Sequence, residues 1–153
     1  MRIRVRLGDW KEKCSWLDVP SAPGVYWIVT PKETEGMEIR FGPPDPKDAH
    51  MARYQPENLQ QIYEENASPI LYIGKAGGRG GLRQRLRQYR NTLFYGKDAH
   101  RGGRAIRQIV GFENLYLEYE VCKNCEAREH TLLTEFKHKN PGKGNYPVAN
   151  HKG

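Results

Sequence analysis

The sequence predicts a mixed α/β (α+β) domain in which helices pack against a small sheet. Three observations carry that expectation. Runs rich in β-branched and aromatic residues, Val25-Tyr26-Trp27-Ile28-Val29, Ile70-Leu71-Tyr72-Ile73 and Leu115 to Val121, read as strands. Apolar residues at helical spacing recur around them. The order is strand, long insertion, then β-α-α-β-α, which layers helices on one sheet. A length of 153 residues fits a single domain, 1–153.

Each element has its own signal. Arg2 to Leu7 alternates charged and apolar side chains, as a half-buried strand with its arginines outward or a frayed basic arm. Trp10 to Leu17 allows one or two helical turns, and Pro20 and Pro23 then break the chain. Gly24 to Thr30 is the first strong strand. Residues 31–69 form an insertion before the next strand. Five prolines make 31–56 irregular, and Glu57 to Asn66 reads as a short helix presenting Leu59, Ile62 and Tyr63. Ile70 to Lys75 is the next strand, followed by a glycine-rich turn, 76–81. Leu82, Leu86 and Tyr89 mark a helix over 82–91, and Arg104 to Val110 reads as another. Asn114 to Val121 alternates as a strand, and Cys125 to Lys139 forms the last helix. No internal repeat or low-complexity segment is visible.

Charge points to a polyanionic partner. Lys and Arg total 25 against 18 Asp and Glu, a formal charge of +7. Between Lys75 and Arg107 there are two lysines and eight arginines, opposed only by Asp98. No apolar run approaches the roughly 20 residues of a membrane helix. The N-terminus has no continuous apolar stretch of the signal-peptide kind, so the expectation is a cytoplasmic protein with no membrane partner. Three cysteines argue against a disulfide framework. Cys122-Lys123-Asn124-Cys125 has zinc-knuckle spacing but no second pair. A zinc-stabilised interaction domain would need Cys14 or a histidine to converge on it.

Two side chains stand out on helical wheels. At about 100° per residue, Glu129 falls between Leu133, near +40°, and Leu132, near −60°, with Phe136 beside it. A carboxylate on an apolar face needs a partner. Either a salt bridge or a hard divalent cation would serve. Arg83, Arg87 and Arg90 share one flank of the 82–91 helix, whereas Arg85 lies alone on the other, near −60° from Leu82. Arg85 could clamp a phosphate with its planar fork or pack its stem on the core. Arg83, Arg87 and Arg90 suit phosphate contacts without sequence preference. His100-Arg101-Gly102-Gly103-Arg104 opens a helix with glycines and cations, an anion-facing arrangement. The imidazole of His100 by itself reads as a surface side chain. Tyr26 and Tyr72 are each strand-borne, and a phenol becomes a base only when a cation lowers its pKa. Lys75 is placed to do so, although cross-strand packing is the plainer role for either tyrosine.

Taken together these segments resemble the GIY-YIG nucleases. Pro23-Gly24-Val25-Tyr26 is similar to the first motif of that family, and Tyr72-Ile73-Gly74-Lys75-Ala76 to the second. Leu82 to Tyr89 resembles the following helix, especially that of the excision-repair incision subunit. Glu129 to Phe136 resembles the metal-binding helix, and Pro147-Val148-Ala149-Asn150 the terminal Pro-x-x-Asn element. The resemblance covers 22–30 and about 68–150. The stretch between the two tyrosines is far longer than the family's hairpin, and the turn after Lys75 carries extra glycines.

The resemblance implies a small, three-stranded, mainly antiparallel sheet flanked by helices, and one-metal hydrolysis of DNA phosphodiesters. It implies Tyr26 as general base with a pKa lowered by cations, Glu129 as ligand of Mg²⁺ or Mn²⁺, and Arg85 on the phosphate. Tyr72, Lys75 and Tyr89 would orient the phosphate, and Asn150 would close the site. DNA would be held by Arg83, Arg87, Arg90, His100 and Arg104. Specificity would come from the insertion, a homodimer, a partner protein or DNA structure, in a bacterial or phage-type intracellular setting. The rival readings are a non-catalytic nucleic-acid-binding module on the same fold and the zinc-stabilised domain.

Overall fold

In the computed structural model the described residues are 2–12, 18–31, 38–66, 68–96, 100–140 and 145–150. Cys14 and much of the expected 10–17 helix lie outside them. Among the described residues the sheet has four strands in the order β1-β4-β2-β3, all antiparallel. They are β1 (Ile3–Arg6), β2 (Gly24–Val29), β3 (Ile70–Ala76) and β4 (Tyr116–Val121). The helices are α1 (Leu7–Glu12), α2 (Pro56–Asn66), α3 (Gly81–Tyr95), α4 (Arg101–Arg107) and α5 (Cys125–Lys139). None of the helices among these residues is long and apolar enough to cross a membrane.

The strand count corrects the expected three. The alternation of Arg2 to Leu7 does form a strand, and it pairs with β4 from Ile3↔Tyr119 to Arg6↔Tyr116. Its arginines are used locally. Arg2 and Arg4 stack over Trp27 and Tyr116 at 4.0 and 4.1 Å, and both approach Glu118.

Strand alternation splits the core between the two faces of the sheet. On one face Tyr26, Ile28 and Leu117 join Leu59, Leu82, Leu86, Tyr89 and Ile106 in the main core. On the other, Val25, Trp27 and Ile73 form a smaller cluster with Cys125, covered by Leu132 and Leu133 of α5. The register slips between Ile28 and Val29, which gives β3 one extra residue. Leu71 therefore sits in the main core beside Tyr72, rather than on the opposite face that simple alternation assigns it.

The insertion is part of the core. Residues 46–48 and 52–54 form short 3-10 turns, and Phe41 bridges to Ile109. Ile39, Phe41 and Tyr54 are buried in the main cluster with Leu59 and Ile62 of α2. Proline density correctly signals irregular backbone here, but irregular backbone with large apolar side chains still packs.

Helix ends follow their caps. α3 runs to Tyr95 because Leu93 is buried, and it stops at Gly96, which has a positive φ of 62°. α4 starts three residues earlier than expected because His100 caps it, Nδ1 accepting from the Gly103 N–H at 3.2 Å.

Candidate functional site

A cleft of about 900 Å³ opens between the end of β3, α3 and the start of α5. Tyr72 and Lys75 reach it from β3, Gln84, Arg85 and Gln88 from α3, and Glu126 and Glu129 from α5. The glycine turn after β3 and the 123–124 corner complete its rim.

Behind the cleft lies a ring cluster. Tyr26, Tyr72, Tyr89 and His100 have all their ring centroids within 4.3 to 6.2 Å of one another. Tyr26 and Tyr89 are fully buried, whereas Tyr72 is half-buried and faces the cleft. Two glycines make room for these rings. A Cβ on Gly74 would fall 2.5 Å from Tyr26 Cζ and 2.7 Å from Tyr72 Cε2. One on Gly102 would run into the Tyr72 ring. Gly74 is thus required by the two phenols that flank it in space.

Electrostatics grade the three phenols. Burial pushes Tyr26 well above the usual phenol value, Tyr72 adds to the rise, and Arg85 opposes it. Burial likewise pushes Tyr89 well up. Tyr72 is also raised by burial, but a hydrogen bond from Tyr26 and the charge of Arg85 pull it down, with Glu129 acting against them. The sequence expectation of a Tyr26 phenol lowered by cations is therefore corrected. Desolvation outweighs the guanidinium, and the ring has no access to the cleft.

The other expected residues divide sharply. Lys75 points into the cleft and pairs with Glu126 at 3.3 Å. The Arg85 guanidinium donates to Gln88 Oε1 at 3.0 Å while its charge acts on all three phenols. Glu129 is half-buried on the cleft wall rather than sunk in an apolar face. The reason is geometric: α5 covers only the small second core, and its buried side chains are Cys125 and Phe136. Tyr89 packs behind the cleft, and its hydroxyl has no hydrogen-bond partner among the described residues. Asn150 is not in the cleft. Its amide accepts from Ile73 N–H at 2.9 Å and donates to Ile73 C=O at 2.8 Å.

Several of the cations expected to hold DNA are engaged inside the fold. Arg83 Nε donates to Val19 C=O at 2.8 Å and Arg90 Nε to Trp10 C=O at 3.1 Å. Arg104 pairs with the buried Asp48 at 3.2 Å. His100 is 1% exposed and cannot be a surface anion contact. Arg87 is exposed. Besides Arg85, the cations that line the cleft are Lys75, Arg79 and Lys123, and sequence reasoning passed over Arg79 and Lys123. Their signal was position: both lie in short turns directly after or before an element that carries a cleft residue.

Metal-binding capacity is narrow. Among the described residues no group of three or more His, Cys, Asp and Glu is gathered to hold an ion. Cys125 is buried in the second core, and Cys122 is half-buried. The cleft does offer Glu129, with Glu126 one turn away, in a wide and polar setting. That donor set fits Mg²⁺, which binds through one or two carboxylates and keeps several waters.

No family model, curated protein or solved structure matches this chain.

Proposed function

We propose that this chain is a metal-dependent endonuclease that hydrolyses DNA phosphodiester bonds on a GIY-YIG-type scaffold. In that reading β2, β3 and β4 correspond to the family's three-stranded sheet, with β1 added at the edge. The observation that carries the proposal is the convergence of Tyr72, Lys75, Arg85 and Glu129 on one cleft. These residues come from three separate elements. They combine a phenol, two cations and a carboxylate, the groups needed to hold a phosphate and activate water.

The roles follow from position. Arg85 donates its planar fork to the non-bridging oxygens as charge builds on them. Lys75 holds the phosphate by charge. Glu129 would hold Mg²⁺ or Mn²⁺; a bound cation supplies stabilisation of the leaving oxygen. Tyr72 is the phenol that meets the attacking water; burial still holds its pKa above the ordinary phenol value, so it takes the water's proton only after its own has left, as a phenolate that neighbouring positive charge would favour. Tyr26 donates to the Tyr72 oxygen, which favours the Tyr72 anion, and Arg85 does so by charge. Tyr26 and Tyr89 act from behind as packing and positioning groups. Asn150 holds β3 in place, so that Tyr72 and Lys75 keep their register.

The test is a cleavage screen with Mg²⁺ or Mn²⁺ on single-stranded, duplex, nicked, flapped and branched DNA. Wild type is expected to cut at least one of them, and folded Arg85→Ala and Glu129→Ala to cut none. Tight binding without cleavage across all metals and substrates would make the chain a binding module instead. Cleavage by Glu129→Ala at the wild-type rate would remove Glu129 from the chemistry.

A further inference from the structure

His100 takes no part in the roles above, yet it is among the most buried polar residues of the chain. It sits in the loop before α4 and meets the ring cluster edge-on, 4.3 Å from Tyr89 between centroids. Three hydrogen bonds fix it. Its backbone N–H donates to Thr92 Oγ1 at 3.4 Å. Its Nδ1 accepts from the Gly103 N–H at 3.2 Å. Its Nε2 lies 2.7 Å from the Tyr26 hydroxyl.

The Gly103 contact determines the tautomer. A backbone N–H can only donate, so Nδ1 must carry a lone pair. A neutral imidazole then has its proton on Nε2. The bond to Tyr26 therefore runs from Nε2–H to the phenolic oxygen. With that oxygen accepting, the Tyr26 O–H is left to donate, and the neighbouring phenol that can accept it is Tyr72, whose ring lies 5.8 Å away between centroids. Tyr72 stands between this chain and the cleft.

We infer that His100 is a positioning residue whose fixed Nε2–H tautomer sets a one-way chain of hydrogen bonds, from His100 to Tyr26 to Tyr72, so that the cleft-facing phenol accepts from behind, directs its own O–H into the cleft, and is left as a supported phenolate when that proton departs. The opposite direction, in which Tyr72 donates inward to Tyr26, lacks an acceptor site, because the Tyr26 oxygen receives both the imidazole N–H and the Arg85 guanidinium. The chain carries a structural and a functional consequence. It holds the buried polar atoms of Tyr26 and His100 satisfied without solvent. It also stabilises the Tyr72 phenolate that must be present before Tyr72 can take the proton of water, and in this part it rests on the nuclease reading.

The experiment has two arms that separate these consequences. In ¹⁵N-labelled wild-type protein, imidazole nitrogen shifts and couplings at pH 6 to 8 are expected to show His100 protonated at Nε2 and bare at Nδ1. In Tyr26→Phe the Nε2–H signal is expected to move and exchange faster while the Gly103 amide stays protected. An imidazolium, or an Nδ1–H tautomer, overturns the inference whatever the enzyme does. In the kinetic arm, Tyr26→Phe and His100→Asn, which keeps a capping acceptor, are each expected to lower kcat about tenfold or more with KM little changed. The double variant is expected to be no slower than the worse single. Unchanged kcat in both, or fully multiplied losses, overturns the relay. Absence of cleavage by wild type defeats the nuclease reading and leaves the nitrogen shifts to decide the direction of the chain.

Discussion

The amide of Asn150 occupies the outer side of Ile73 as a neighbouring strand would, accepting its N–H at 2.9 Å and donating to its C=O at 2.8 Å. β3 is an edge strand, so these two groups would otherwise lack a ladder partner. Asn150→Ala removes both bonds and leaves two backbone groups to find water. It is expected to lower stability by about 1–3 kcal/mol in urea unfolding. A variant that loses cleavage at undiminished stability would return Asn150 to the site.

Gly74 lies against Tyr26 and Tyr72 with no space for a methyl group. Gly74→Ala must push apart two rings, of which Tyr72 faces the cleft and Tyr26 lies behind it. The expected cost is about 1–3 kcal/mol, together with an altered near-ultraviolet circular dichroism signal from the tyrosines. An unchanged signal would mean that the rings are not held as described.

His100 links stability to pH. Burial and the Arg85 charge hold its imidazole down to about 3, against an ordinary value of 6.5. Between these values the unfolded chain binds the proton and the folded chain does not, so this contribution is complete above about 6.5 and declines as pH falls. The slope is about 1.4 kcal/mol per pH unit. From pH 6.5 to 5 wild type should therefore lose about 1.6 kcal/mol more than His100→Asn. Parallel curves for the two proteins would show that the imidazole is not held neutral.

Arg104 and Asp48 form an ion pair in which the carboxylate side chain is only 4% exposed. Arg104→Ala leaves a buried carboxylate without its cation. The expected result is a loss of about 3 kcal/mol of stability, with DNA affinity unchanged once the folded fraction is allowed for. A selective loss of DNA affinity would place Arg104 on the nucleic-acid surface.

Arg85→Lys keeps the charge and discards the planar fork. With Glu129 intact, DNA cleavage is expected to fall by about 10²-fold or more while thermal stability changes little. Cleavage within twofold of wild type would reduce Arg85 to a general positive charge.

Much of the scaffold was legible because its signals are local. β2, β3 and β4 announce themselves by aromatic and β-branched runs, and α3 and α5 by apolar spacing. Arg85 was visible because its flank of α3 differs from that of its neighbours. Glu129 was found for a partly mistaken reason. The wheel saw an apolar face but not how little of α5 the second core covers. Tyr26 shows the same limit. Its place on a strand is local, whereas the depth of its burial depends on α4 and His100, far along the chain. Arg83 and Arg90 look like free cations in sequence, because backbone carbonyls such as those of Val19 and Trp10 leave no mark in composition. His100 was misread because its cap, phenol and hydroxyl partners are contributed by three different segments.

The long excursion between β2 and β3 lends Ile39, Phe41 and Tyr54 to the same interior that supports α3 and α4. Anyone trimming this scaffold to a minimal cutting unit would thus be removing internal filling rather than ornament. A shortened version would have to replace that lost volume with bulkier side chains, or it would collapse around a void in the main core.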